Sequence, residues 1–191
     1  MKSRIEIIVL ATASILMLLL VFVLPLFSFP GYSVICNTIS ELGAQSSPDA
    51  WIINTTIVLL AAASIIAGWQ YFEGFILHRI VLVLFGISLA LTAVFNHAPV
   101  NTGIRYNITE AGLHSYFAAT AVLSFTILAL AAGLTMERQR DRLLAVASGL
   151  SVIALSVMAS QSDHLSGIWQ RLMFLISFGW MIYILNSNTN Q

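Results

Sequence analysis

Six long runs of apolar residues, separated by short polar stretches, dominate the chain. A helix needs roughly 20 residues to cross a hydrocarbon core of about 30 Å, and the runs are close to that length. Backbone groups in lipid must be hydrogen-bonded within the protein, which favours helices. We therefore predict an all-α fold in a single domain, a bundle of six transmembrane helices over about residues 6–27, 51–72, 80–95, 111–134, 143–159 and 167–185.

The basic residues of the short loops predict the orientation of this bundle, because cytoplasmic loops are enriched in Lys and Arg. Arg105 and Arg171 lie on one side, and six basic residues lie on the other: Lys2, Arg4, Arg79, Arg138, Arg140 and Arg142. Both termini are expected in the cytoplasm of a cell-membrane protein, with loops 28–50, 96–110 and 160–166 facing outward. The first run is longer than the apolar part of a cleaved signal peptide, so we interpret it as a retained anchor.

Composition agrees with this picture. Hydrophobic residues make up 59% of the chain and charged residues 8%, with a mean hydropathy of +0.92, whereas a soluble domain has about 25% charged residues. The net charge is zero, so no nucleic-acid partner is indicated, and membrane lipids are the expected partners. Cys36 is the single cysteine and cannot form an internal disulfide. The sequence leaves the oligomeric state open.

Ionisable residues collect at the predicted outer side. All three outer connections contribute to this set, which consists of Glu41, Asp49, His97, Arg105, Glu110, His114, Asp163, His164 and Arg171. His78 is the exception among the histidines, because it lies in a cytoplasmic turn, where we expect it to be exposed. The distribution predicts a polar pocket at the outer side of the bundle.

Glu110 and His114 are four residues apart at the start of the fourth span, so they share one helix face. This spacing suits a carboxylate that orients an imidazole, and it equally suits two metal ligands. The structural alternative is a pair that fastens the loop to the helix. Because His114 lies about one turn inside an apolar segment, it is a candidate functional residue.

Arg171 lies in a comparable position, about one turn inside the last span. Its guanidinium must reach the headgroups or find a carboxylate, and the available carboxylates are those of Glu41, Asp49, Glu110 and Asp163. Alternatively it holds an anionic ligand group. We assign Ser40, Arg105 and Arg171 as candidate substrate-binding residues.

A metal site is a further candidate. His97, His114 and His164, with Glu110 or Asp163, have the ligand types that a divalent metal such as zinc prefers. The adjacent Asp163 and His164 are also interpretable as a general base with its orienting group, or as a solvated loop pair.

The segment Ser40-Glu41-Leu42-Gly43 predicts a short helix in the first loop, capped by Asn37 or Ser40 and ended by Gly43. Ser40 is also a candidate nucleophile if His114 activates it.

Three short motifs resemble a known family: Ser40-Glu41-Leu42-Gly43, Gly112-Leu113-His114 and Gln170-Arg171. In order and spacing they are similar to the uncharacterised membrane family catalogued as domain of unknown function 998. The resemblance covers nearly the whole chain. It implies that Glu41, His114 and Arg171 belong to one site.

Two functions from different classes follow. In the first, the outer pocket binds a lipid or amphiphile headgroup, Arg171 holds its anionic group, and Glu41, Glu110, His114 and Asp163 catalyse hydrolysis or transfer. In the second, the polar network is structural, and the protein is a sensor, scaffold or binding protein. The first requires Glu41, His114 and Arg171 to converge on a cavity, and the second requires that the polar groups satisfy one another.

Overall fold

The computed structural model describes residues 2–101, 103–162 and 164–187, with side chains from residue 4 onward. All regular structure in these residues is helical. The helices are α1 Lys2–Val23, extended by the 3-10 turn Leu24–Phe27, then α2 Ile39–Leu42, α3 Ala50–Tyr71, α4 Ile76–Val94, α5 Ile108–Thr135, α6 Gln139–Gln161 and α7 Ser166–Ser187.

Within the described part of the chain, six helices are long and apolar enough to cross a membrane: α1 with its 3-10 extension, and α3 to α7. This confirms the predicted number of spans, with bounds that differ by a few residues. The outer surface carries large apolar side chains such as Leu134, which is 82% exposed. Contact of so much apolar surface with water is unfavourable for a soluble protein, whereas contact with the hydrocarbon of a membrane is favourable. The chain is a multi-pass membrane protein.

The long helices pack in chain order, each on the one before it, and α7 returns to pack on α1. Successive spans run in opposite directions, so the bundle has two different ends. We call one the loop end, formed by residues 28–49, 95–101, 103–107, 162 and 164–165. The other is the terminal end, where α1 begins and α7 finishes, with the turns 72–75 and 136–138.

Aromatic side chains from three helices fill the middle of the bundle. The Phe125 ring of α5 lies 5.6 Å from the ring of Phe85 on α4 and 5.6 Å from that of Trp180 on α7, measured between centroids. Phe125 is 1% exposed. The tilted contact with Phe85 and the edge-to-face contact with Trp180 hold α4, α5 and α7 together below the loop end.

His78 is buried, so the prediction that it is exposed was wrong. Helix α4 begins at Ile76, which places His78 in its first turn, 5% exposed. Its ring stacks on Phe72 at 5.2 Å and meets Phe75 edge-on at 5.1 Å. The short turn before α4 folds these two phenylalanines over the imidazole. Both ring nitrogens are buried without a hydrogen-bond partner among the described residues.

Candidate functional site

Arg171 fastens the first loop, residues 28–49, to helix α7. Its side chain is 7% exposed and donates five hydrogen bonds to neutral oxygen atoms. Nη1 donates to the carbonyl oxygens of Val34 and Asn37 at 2.9 Å and of Gly167 at 3.0 Å. Nη2 donates to the Val21 carbonyl at 3.2 Å and to the Tyr32 hydroxyl at 3.0 Å. Neutral oxygen atoms thus stand where the sequence predicts headgroups, a carboxylate or an anionic ligand group as the alternative partners.

The local sequence explains why these oxygen atoms are available. Pro25 lies four residues after Val21 and has no N–H, so the Val21 carbonyl cannot receive its usual helical hydrogen bond. At the other side, Gly167 allows the first loop to touch α7. A Cβ atom at this position would lie far inside van der Waals contact of the Asn37 and Val34 carbonyl oxygens.

Tyr32 completes the fastening of the first loop. Its hydroxyl donates to the Thr38 carbonyl at 2.8 Å and accepts from Arg171. Burial raises the pKa of the Tyr32 phenol, and the positive charge of Arg171 opposes this rise. The phenol is therefore neutral at physiological pH and keeps the hydrogen that it donates.

Gln170 holds the short helix α2. Its Oε1 accepts the backbone N–H groups of Ile39 and Ser40, and its Nε2 donates to Ser40 Oγ at 3.1 Å. Free N–H groups at a helix start need such acceptors. The predicted short helix and its end at Gly43 are confirmed.

The cap of α2 is Thr38, which corrects the expected Asn37 or Ser40. Thr38 accepts from the Glu41 N–H, and Glu41 Oε2 accepts from the Thr38 N–H at 2.6 Å. This capping box uses the Glu41 carboxylate within the loop. Asn37 instead accepts from the Ser33 N–H through its side-chain oxygen.

Amide side chains connect the first loop to the second. Gln45 donates through Nε2 to the Asn96 and Asn107 carbonyls, and its Oε1 accepts from the Asn107 N–H. Asn54 of α3 bridges Gly43 and Asn96. The two loops therefore form one hydrogen-bonded layer across the loop end.

Glu110 belongs to this layer as well. Its Oε1 accepts from the Asn96 N–H at 2.9 Å, and its own N–H is capped by Asn107. His114, one turn further along α5, makes its hydrogen bonds to other groups. The carboxylate thus fastens the second loop to α5.

His114 and His97 form a pair beneath this layer. His114 Nδ1 lies 2.8 Å from the Thr92 carbonyl oxygen and 2.9 Å from that of Phe95, and His97 Nδ1 lies 2.8 Å from the Ala98 carbonyl oxygen. Because carbonyl groups only accept, each Nδ1 carries the hydrogen, and in the neutral ring each Nε2 has a lone pair. The ring centroids are 5.2 Å apart. Two imidazole nitrogens are thus available as bases, acceptors or metal ligands.

A cavity of about 340 Å³ extends from this histidine pair into the bundle. Its polar wall at the loop end includes Ser40, His97, His114 and Gln170. Deeper in the bundle its wall is mainly apolar, with side chains such as Ile57, Phe85, Leu89, Phe125, Val152, Phe174 and Phe178. The cavity has a polar end and an apolar interior, so its wall is complementary to an amphiphile.

Helices α5 and α6 border this cavity with small side chains. Nearer the terminal end they pack closely, since a Cβ atom at Gly149 would lie only 3.2 Å from the Thr126 carbonyl oxygen and 3.3 Å from the Ala129 Cβ. Toward the loop end their cavity-lining residues are Ser115, Ala118, Ala119, Ser156, Ala159 and Ser160. Ser115, Ala119 and Ser160 are also exposed on the outside of the bundle. The cavity thus opens to the surface beside these residues of α5 and α6.

The structure divides the predicted site residues into groups. Ser40, His97 and His114 line the cavity. Arg171 and Glu41 organise the first loop, Glu110 fastens the second, and Arg105 is exposed. Asp163 lies outside the described residues.

The predicted metal set is not assembled in the described part of the chain. Among these residues, no three His, Cys, Asp or Glu side chains lie close enough together to hold a metal ion. His164 is exposed, and its backbone carbonyl accepts from Cys36 Sγ at 3.3 Å. Of the three predicted histidines, His97 and His114 are neighbours.

Sequence reasoning missed the uncharged amides as site residues. Gln45, Asn54, Asn96 and Gln170 join the loops to the helices, but they have no charge to mark them in an apolar chain. Asn54, Asn96 and Gln170 lie near the ends of predicted spans, which was the available signal for these three. Gln170 also lies in one of the three motifs noted above.

The family model described as a protein of unknown function (DUF998) matches residues 12–185. The chain belongs to this family. No curated protein and no solved structure matches it. In this DUF998 chain the motif segments Ser40–Gly43 and Gln170-Arg171 meet in space, because Gln170 binds the start of α2. His114 of the third motif lies on the same cavity as Ser40.

Proposed function

We propose that this DUF998 protein binds a membrane amphiphile, with the polar head beside His97 and His114 and the apolar chain between α5 and α6. The observation that carries the proposal is the cavity itself, which is polar at one end, apolar inside, and bordered by small, exposed side chains of α5 and α6. A ligand that enters from the bilayer would keep its chain in an apolar environment throughout.

The orientation belongs to the same proposal. We place the loop end outside the cell membrane and both termini in the cytoplasm, because the basic residues of the short turns concentrate at the terminal end. The amphiphile would then enter from the outer leaflet. The layer formed by the first and second loops would shield its head from bulk water.

A second candidate function is hydrolysis or transfer at the bound head group. The geometry of His114 favours it, because two carbonyl oxygens fix Nδ1–H and leave Nε2 with a lone pair at the cavity. This is the arrangement of an oriented general base. Ser40, on the same cavity, is the candidate nucleophile. Glu41 and Arg171 are not among the residues that line this cavity, so the catalytic candidate rests on His114 and Ser40 alone. The neutral partners of Arg171 favour a structural role for that residue.

Co-purified lipid tests the binding proposal. Ala118→Phe places a large ring in the cavity wall, and Leu134→Phe, on the exposed surface near the terminal end of α5, serves as the matched control. We expect mass spectrometry to find an amphiphile with the wild type and with the control, and a strong loss with Ala118→Phe. Equal recovery from all three proteins would contradict the proposal.

The catalytic candidate needs a separate measurement. The purified protein is incubated with the amphiphile that it binds, and release of the head group is followed over time. His114→Asn keeps a donor for the Thr92 and Phe95 carbonyls but has no counterpart of Nε2. Turnover by the wild type that is lost in this variant supports catalysis, and binding without turnover leaves the protein as a binding protein.

A further inference from the structure

We infer that the amphiphile of this cavity has an uncharged head that donates hydrogen bonds from hydroxyl groups, as a glycerol or sugar head does. This inference rests on the proposed binding function and goes further by naming the ligand class. It follows from how the polar atoms of the cavity wall already use their hydrogens.

The first observation concerns the hydroxyl groups of the wall. Four of them donate their hydrogen to a backbone carbonyl of their own helix, at 2.7 to 3.1 Å, namely Thr92, Ser115, Ser160 and Ser177. Each of these oxygen atoms then has only lone pairs for a ligand. These positions attract hydrogen-bond donors.

The histidine pair, like these hydroxyl oxygens, offers hydrogen-bond acceptors to a ligand. The Nδ1–H groups of His97 and His114 are bound to carbonyl oxygens of the second loop and the end of α4. In the neutral rings each Nε2 is an acceptor. A ligand hydroxyl group can donate to it directly, whereas a phosphate or carboxylate oxygen would meet a lone pair unless the buried ring first took up a proton at Nε2.

A small number of donors remain. Ser40 Oγ accepts from Gln170 Nε2, and its own hydrogen has no acceptor among the described residues. The Ser156 hydroxyl, also in the cavity wall, has no hydrogen-bond partner among them. A wall with many acceptors and few donors complements a group that donates and also accepts. A hydroxyl group does both.

Charged heads fit this wall less well. An anionic head needs several donors or a cation, and the guanidinium of Arg171 already donates to five oxygen atoms around the first loop. A cationic head needs a carboxylate, and those of Glu41 and Glu110 accept backbone N–H groups within the loops. Burial of an uncompensated charge in a mainly apolar cavity is costly.

A panel of single-chain lipids with one common oleoyl chain tests the head-group class. The panel is monooleoylglycerol, lysophosphatidic acid and lysophosphatidylcholine, and native mass spectrometry or competition with a fluorescent fatty alcohol gives their affinities. We expect monooleoylglycerol to bind at least about tenfold more tightly than lysophosphatidic acid, the scale of one satisfied against one unsatisfied buried group. Tighter binding of either phospholipid would overturn the head-group class and leave the amphiphile proposal standing. Failure of every member to bind would overturn both.

Two variants assign the preference to the histidine pair. His97→Asn and His114→Asn retain a side-chain N–H near Nδ1 and remove Nε2, so each should weaken monooleoylglycerol binding about fivefold to tenfold. Binding of a fluorescent hydrocarbon probe that has no hydroxyl group reports whether the cavity is intact. A variant that binds monooleoylglycerol as tightly as the wild type would remove that histidine from head-group recognition. If His114→Asn does not fold, His97→Asn and the wild-type lipid panel still test the inferred head-group class.

Discussion

A hydrogen bond of 3.0 Å joins Arg171 Nη2 to the hydroxyl oxygen of Tyr32, 139 residues earlier in the chain. The same guanidinium binds three carbonyl oxygens on or beside the first loop and that of Val21 at the end of α1. A single buried cation thus fixes the position of the first loop relative to α1 and α7. Because α2 of this loop supplies Ser40 to the cavity, the shape of the cavity depends on Arg171, which is not among its lining residues.

Arg171→Met should destabilise the protein by about 3–5 kcal/mol, because it leaves several buried carbonyl oxygens without donors. Thermal unfolding in mild detergent measures the effect as a lower Tm. Arg105→Met is the control, since Arg105 is exposed on the second loop, and its Tm should equal that of the wild type. An unchanged Tm for Arg171→Met would contradict the role of Arg171 in holding the loop.

Gly167→Ala should also destabilise the protein, by about 1–3 kcal/mol, because its methyl group would collide with the carbonyl oxygens of Val34 and Asn37. Gly179→Ala is a control within the same helix, since a Cβ at Gly179 meets no atom of the described residues within 4 Å. Alanine is also the better helix former, so the control should be neutral or slightly more stable. An equal decrease in Tm for the two variants would show that the first loop does not pack closely against Gly167.

His78→Phe should raise the stability. The His78 ring lies between Phe72 and Phe75 with both nitrogens buried and unpartnered within the described part of the chain, so its polar atoms are desolvated without compensation. An apolar ring at this position removes a cost of about 1–3 kcal/mol. A higher Tm for this variant would confirm the effect. His97→Phe, at the cavity, is the contrasting substitution. A lower Tm would contradict a destabilising effect of the buried imidazole nitrogens.

Cys36 offers a direct test of orientation, because it is the single cysteine and lies at the loop end. A membrane-impermeant maleimide should label it in intact cells if the loop end faces outward. Cys36→Ser combined with Gln139→Cys moves the thiol to an exposed position at the terminal end, where labelling should require permeabilised cells. The reverse pattern would place the termini outside.

Some of the candidate site could be predicted from the sequence. A guanidinium and an imidazole inside apolar spans are costly, which is why the sequence alone marks Arg171 and His114 as candidates, and both are buried and hydrogen-bonded. Their partners could not be predicted, because they are backbone carbonyl groups, which every residue has. Glu110 and His114 share a helix face as their spacing requires, yet the second loop supplies other partners to each.

By itself, the sequence determined the six spans and the short helix ended by Gly43, because the length of an apolar run and the signals that begin and end a helix are local properties. Only the tertiary structure decided that His78 is buried, that neutral oxygens surround Arg171, and that a cavity opens to the surface beside residues of α5 and α6. The loop partners of Arg171 lie more than a hundred residues away in the chain, and the cavity requires several helices to meet. The burial of His78 depends instead on how the turn before α4 folds over the ring. The spacing of residues along one helix does not specify which other segments that helix contacts.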